Sequence, residues 1–180
     1  MTASQFWVGV ECMPASVLQD AASHPRPILC GNLAEAADMR SALGNSLEQA
    51  EWHDLALASP IGQGYLLDVL RQRGPIEHIV LALPAISYAR IETGDDALRP
   101  QDDVLSETRQ AIEGLITVLR GAEATLDASV GAGLTLLRAD TAEASSPMAR
   151  ALGAFANEWI ASEAARWETL GLSLSQMSRN

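Results

Sequence analysis

Ile76-Glu77-His78-Ile79-Val80-Leu81-Ala82-Leu83 decides the fold. This run is the strongest strand signal in the chain, set off by Gly74-Pro75 before it and Pro84 after it. Its nearly continuous apolar character predicts burial on both faces, as in a parallel sheet. Upstream, Gly62 to Arg73 reads as a helix with Leu66, Leu67 and Leu70 on one face, and Trp52 to Ala58 as a strand. Asn32 has the chemistry of a helix N-cap with Glu35 three residues on, opening a helix to about Leu43 that stops at Gly44-Asn45. Ile28-Leu29-Cys30 is a buried strand closed by Gly31. Ala15 to Ser23 is a helix broken by His24-Pro25-Arg26-Pro27, and Phe6 to Val10 is the first strand.

Downstream, Ser87 to Asp103 is a polar loop carrying Gly94-Asp95-Asp96 and Arg99-Pro100. A long helix follows over about Val104 to Ala128, then a strand over Gly133 to Ala139. Ser146-Pro147 opens a second long helix that runs to about Thr169, with Gly171 as its C-cap, before a short strand at Leu172-Ser173-Leu174. Strand and helix alternate throughout. That order predicts an α/β domain spanning residues 1–180, with an open parallel sheet of about six strands and helices on both faces.

Composition narrows the chemistry. The chain has 180 residues, 48% of them hydrophobic, enough for a real core. All twelve basic residues are Arg; there is no lysine. That excludes a Schiff-base lysine, a phosphate-loop lysine and a kinase-type strand lysine. A net charge of −11 opposes binding to nucleic acid and to anionic membrane surfaces. No apolar run reaches the ~20 residues of a spanning helix. Met1 to Gln5 lacks a basic n-region, so no signal peptide is expected. Cys12 and Cys30 stand apart without metal spacing, which points to a reduced, cytoplasmic setting. His24, His53 and His78 are scattered and make no metal cluster.

Gly74-Pro75-Ile76-Glu77-His78-Ile79-Val80-Leu81-Ala82-Leu83-Pro84 resembles the short-chain dehydrogenase/reductase pattern G-x-I-D-x-L-V-N-N-A-G, except at its Asn-Asn-Ala-Gly end. Ile112-Glu113-Gly114-Leu115-Ile116 resembles the family's N-x-x-G-x-F helix. The segment from Ala151-Leu152-Gly153-Ala154-Phe155 through Glu163-Ala164-Ala165-Arg166-Trp167 to Leu170-Gly171-Leu172-Ser173-Leu174 resembles its last long helix and sixth strand. The resemblance implies a three-layer, Rossmann-like fold in a degenerate, truncated member. It also implies lost chemistry. The family's phosphate loop, T-G-x-x-x-G-x-G, follows strand one. Here Val8-Gly9-Val10-Glu11-Cys12-Met13-Pro14 stands there, with no glycine between Gly9 and Gly31. The family's helix asparagine falls at about Ala111, its serine near Ala139, its tyrosine at Ser145 and its lysine at Ala149. No catalytic, cofactor-binding or metal residue, and no cofactor, is therefore assigned.

Ser87, Tyr88 and Arg90 follow the fourth strand and could line a ligand crevice, although loop packing is the commoner role for such a tyrosine. Asp95, Asp96, Asp102 and Asp103 form an acidic loop, read as solvated rather than cation-binding. Gly62-Gln63-Gly64 reads as a plain turn, and His53 as a strand-end residue. The two long helices are apolar on two faces. The smaller faces, Ala111, Val118 and Ala122 on one and Ala149, Gly153, Ala156, Ile160 and Ala164 on the other, are predicted to meet a partner subunit. In the resembled family these helices form a four-helix dimer interface. The leading expectation is a catalytically silent subunit that pairs with an active short-chain dehydrogenase, or with a second copy of itself. The alternatives are a small-molecule binding protein or non-nicotinamide enzyme using the strand-end crevice, or an NAD(P)-dependent oxidoreductase with an atypical cofactor site.

Overall fold

In the computed structural model, six strands form one parallel sheet in the order β3-β2-β1-β4-β5-β6. The structure describes residues 4–37, 41, 44–83, 101–138 and 147–178; the side chains of 45, 46, 101–104, 147–152 and 178 are not described. The strands are β1 (Ser4–Val8), β2 (Ile28–Gly31), β3 (Glu51–Asp54), β4 (Ile76–Ala82), β5 (Gly133–Arg138) and β6 (Ser173–Ser178). The helices whose bounds lie within the described residues are α1 (Ala15–Ala22), α2 (Pro60–Gln72), α3 (Gln101–Glu123) and α4 (Pro147–Thr169). The order reverses between β1 and β4, the switch point of a doubly wound sheet. This is the expected open, six-stranded Rossmann-like architecture.

Alternation along the strands sorts the core into two layers. Phe6, Val8, Ile28, Cys30, Ile79, Leu81, Leu134 and Leu136 face α2, α3 and α4. Trp7, Leu29, Ala82 and Leu137 face α1, with Val17, Leu18 and Ala21 beneath them. β4 is buried on both faces only in part: Glu77 is exposed, and His78 and Val80 are half-buried. On that side β4, β5 and β6 carry a polar ladder instead. His78 Nε2 lies 3.0 Å from Thr135 Oγ1, which lies 2.8 Å from Ser175 Oγ.

Element ends move for physical reasons. β1 stops at Val8 because Gly9 turns left-handed, with φ 84°. β3 ends at Asp54, and Leu55 and Leu57 then enter the core from irregular chain. Ser59 caps α2 by accepting a bond from Gly62 N at 3.0 Å, with Pro60 at the first position. Gly62-Gln63-Gly64 is therefore the first part of a helix rather than a turn. Gly62 is required there because a Cβ would run into the Ala56 carbonyl. α3 begins at Gln101, earlier than expected, and ends at Glu123, because Leu126 bridges Ile76 and Asp127 N donates to the Ile76 carbonyl. β6 is twice as long as expected and forms one edge of the sheet. Residues 33–36 are a turn and Ala37 and Ser41 are helical; the rest of that expected helix lies outside the described residues.

Candidate functional site

Open parallel sheets take ligands at the carboxyl ends of their strands, around the switch point. Here the first loop at that point is closed rather than open. Gly9 N donates to the Cys30 carbonyl at 2.7 Å. Val10–Cys12 makes a single 3-10 turn, in which Cys12 N donates to Gly9 O at 2.9 Å and Met13 N to Val10 O at 3.1 Å. Val10 and Met13 are buried in the α1-side layer. These bonds satisfy, inside the protein, amides that a glycine-rich loop would present to phosphate.

Glu11 completes the closure. Its carboxylate accepts from Asn32 N at 3.1 Å, just past β2, and from its own backbone N–H. Gly31 makes room for it, since a Cβ there would overlap Glu11 Oε2 and crowd Val10. Burial pushes the Glu11 carboxyl above its ordinary value; the two N–H donors oppose that, and Glu35 and Asp54 add to it. Asn32 Oδ1 accepts from Ala34 N at 3.2 Å and Glu35 N at 3.4 Å, bonds within the turn at 33–36. Its Nδ2 donates to Glu35 Oε1 at 2.8 Å. Asp54 accepts from Leu33 N at 3.1 Å. Three carboxylates thus gather at the ends of β1, β2 and β3.

The remaining predicted positions divide sharply. Ser87, Tyr88, Arg90, Asp95, Asp96, Ala139 and Ser145 lie outside the described residues. Ala149, Asp102 and Asp103 fall on helices without described side chains. His53 sits on edge strand β3, with Nε2 2.8 Å from Glu51 Oε1 and Nδ1 3.5 Å from the Tyr65 hydroxyl, while Arg73 also pairs with Glu51. Burial lowers the His53 pKa. Among the described residues no group of three or more His, Cys, Asp or Glu could hold a metal. Cys30 is buried, and burial pushes its thiol up to about 12.

The helix faces assigned to a partner divide by their burial within this chain. Ala111, Val118 and Ala122 of α3 and Ala156 of α4 are buried by this chain alone. On α3 the reason is close packing against α2: a Cβ at Gly114 would meet the Gln63 side chain, and one at Gly121 would meet Leu67. Gly153, Ile160 and Ala164 are half-buried. The exposed face of α4 lies one position over, at Ala154, Glu158, Ala161 and Ala165.

Sequence reasoning missed a cluster at the far end of the crevice. Arg138, the last residue of β5, donates from Nη1 to Asn157 Oδ1 of α4 at 2.9 Å. With its amide oxygen turned to the guanidinium, Gln176 of β6 accepts from Arg138 Nε at 3.0 Å and Nη1 at 2.7 Å, and donates to Asn157 Oδ1 at 2.9 Å. The available signal was alternation, which places Arg138 on the same inward face as Leu134 and Leu136.

Solved structures answer to this geometry. The chain has the fold of the short-chain dehydrogenases/reductases. It superposes on the citronellol catabolism dehydrogenase of Pseudomonas aeruginosa PAO1 with a TM-score of 0.65 and 15% identity, over 97% of this chain and 73% of that one. A short-chain dehydrogenase/reductase from Caenorhabditis elegans, solved with cofactor, gives 0.69 and 15%, over 97% and 68%. One from Serratia marcescens gives 0.70 and 10%, over 98% and 73%. No protein-family model matches the sequence, and no curated protein is similar to it. Sequence identities this low speak to the dehydrogenase fold alone.

Proposed function

We propose that this chain keeps a dehydrogenase fold without its chemistry and serves as a structural or regulatory subunit, pairing with an active short-chain dehydrogenase through α3 and α4. The observation that carries the first half is the Glu11 carboxylate on the Asn32 N–H, beside a first loop whose amides are already satisfied. The carboxylate at the end of β2 is thus engaged by the protein itself and is not free to receive a ribose hydroxyl. With Glu35 and Asp54 nearby, a further phosphate meets repulsion. Buried Ala111, at the position aligned with the family's asparagine, offers no polar group. The pairing half is supported by the exposed small-residue face Ala154, Ala161 and Ala165, and by exposed Leu105 and Ile116 on α3.

Two measurements test it on the full chain. Titration with NADH and NADPH, followed by quenching of tryptophan fluorescence, should give no saturable change up to millimolar cofactor. Saturable quenching restores the reading of an oxidoreductase with an atypical cofactor site. Co-expression with a competent short-chain dehydrogenase of the same cell should give a mixed oligomer on size exclusion. A stable homodimer that leaves that enzyme's activity unchanged on mixing removes the subunit role.

A further inference from the structure

We propose that Arg138, held by Asn157 and Gln176, is a binding site for a small oxyanion, a carboxylate or a phosphate, at the carboxyl ends of β5 and β6. The inference stands apart from the proposed pairing and does not depend on it. It begins with charge. The chain has twenty-three carboxylates against twelve guanidinium groups, and its described arginines generally take one. Arg71 pairs with Asp68, Arg73 with Glu51 and Arg109 with Glu113, while Arg120 and Arg166 share Glu123 and Glu163. Arg138 is half-buried, yet its partners among the described residues are two neutral amides.

The amides orient the guanidinium without neutralising it. Nε and Nη1 point at Gln176 and Asn157, and Gln176 donates in turn to Asn157, so each member of the trio fixes another. Nη2 is left without an acceptor among the described residues. A partly desolvated cation with fixed planar donors is the chemistry that recognises an oxyanion. Helix α4 puts no side chain over it at the nearest position. Gly153 of α4 faces the guanidinium, and even a Cβ there would stand 3.9 Å from both Nε and Nη2. The cluster lies at strand carboxyl ends, where sheets of this kind accept ligands. β6 is an edge strand, so among the described residues no further strand flanks the cluster on that side.

The probes are sodium phosphate and sodium succinate, each added to the full chain at constant ionic strength, with melting temperature and calorimetric heat as readouts. At least one should bind saturably in the millimolar range or tighter; which one binds assigns the anion as phosphate or carboxylate. Arg138→Gln should weaken that binding at least about tenfold, while Arg71→Gln, on the exposed side of α2, should leave it unchanged. Gly153→Val keeps the charge and covers its face, so it should weaken binding to a similar degree even if Arg138→Gln does not fold. No saturable effect from either anion, or equal binding by wild type and Gly153→Val, overturns the site.

Discussion

Glu11 and Gly31 hold each other in place, and the pair shows how one side chain can close a crevice. A carboxylate near the end of β2 is common in dinucleotide-binding sheets, where it is free to receive a ribose hydroxyl. Here it arrives from the first loop and is spent on the Asn32 N–H. Its position has a pH signature. Burial raises its folded pKa above the ordinary 4.5, so the folded state holds the proton more tightly than the unfolded chain. Stability from this group is therefore present below pH 4.5 and falls as pH rises through the folded value. Glu11→Gln removes that loss while keeping an acceptor for Asn32. Urea unfolding should find the variant equal to wild type near pH 4 and relatively more stable at pH 7; a relative loss on going to pH 7 contradicts the burial argument. Gly31→Ala should cost about 1–3 kcal/mol, because its Cβ overlaps Glu11 Oε2 and crowds Val10. Adding Glu11→Ala should recover part of that cost, a coupling read from the double-mutant cycle. The sequence made it plain that Glu11 and Met13 are wrong for a phosphate loop. It could not place the carboxylate on Asn32, since that contact depends on how β1 and β2 lie side by side.

At the scale of elements, helical periodicity identified the apolar faces of α3 and α4 but not what covers them. A three-layer domain offers a helix two neighbours as well as a sheet, and spacing alone does not distinguish another helix of the same chain from a partner subunit. In this chain Gly114 and Gly121 of α3 let α2 approach closely, since a Cβ at either would meet Gln63 or Leu67. The same two helices are joined near their far ends by charge. Arg166 grips Glu123 with two bonds of 2.6 Å and reaches Glu163 at 2.6 Å, and Arg120 completes the cluster. The Arg166 guanidinium holds the Glu123 carboxyl below its ordinary value, so this contribution is lost as pH falls through that lowered value. The burial of Val118 gives a direct test of which neighbour matters. Val118→Ala should cost about 1–3 kcal/mol of unfolding free energy at every protein concentration. Ile116→Ala, on the exposed side of α3, should change it by less than about 1 kcal/mol. If the Val118→Ala cost instead vanishes on dilution, a partner covers that face and α2 does not.

Over the whole molecule, the strands tie the two layers into one unit. Phe6 and Val8 enter one layer and Trp7, between them, enters the other; Leu136 and Leu137 divide in the same way. Neither layer can lose its packing without freeing strand residues that anchor its opposite. The alternation of strand and helix made this topology legible, because the sheet order follows from short right-handed crossovers. The even burial expected for β4 was not legible in the same way. An apolar run tells how much surface wants cover, whereas the His78–Thr135–Ser175 ladder shows that polar side chains satisfy one another on that half-face. The tryptophans report on both layers, with Trp7 on the α1 side and Trp159 and Trp167 in an edge-to-face contact, centroids 6.3 Å apart, on α4. If residues 1–180 form one cooperative domain, urea transitions followed by far-ultraviolet circular dichroism, by Trp7 alone and by the α4 pair alone should share one midpoint. Trp7→Phe with Trp52→Phe leaves the α4 pair as the only tryptophans, and Trp52→Phe, Trp159→Phe and Trp167→Phe together leave Trp7. Separated midpoints for the two layers would mean that the α1 side melts while the sheet still holds α2, α3 and α4. The strands could then no longer be what couples them, and the two faces would have to be treated as independently stable halves.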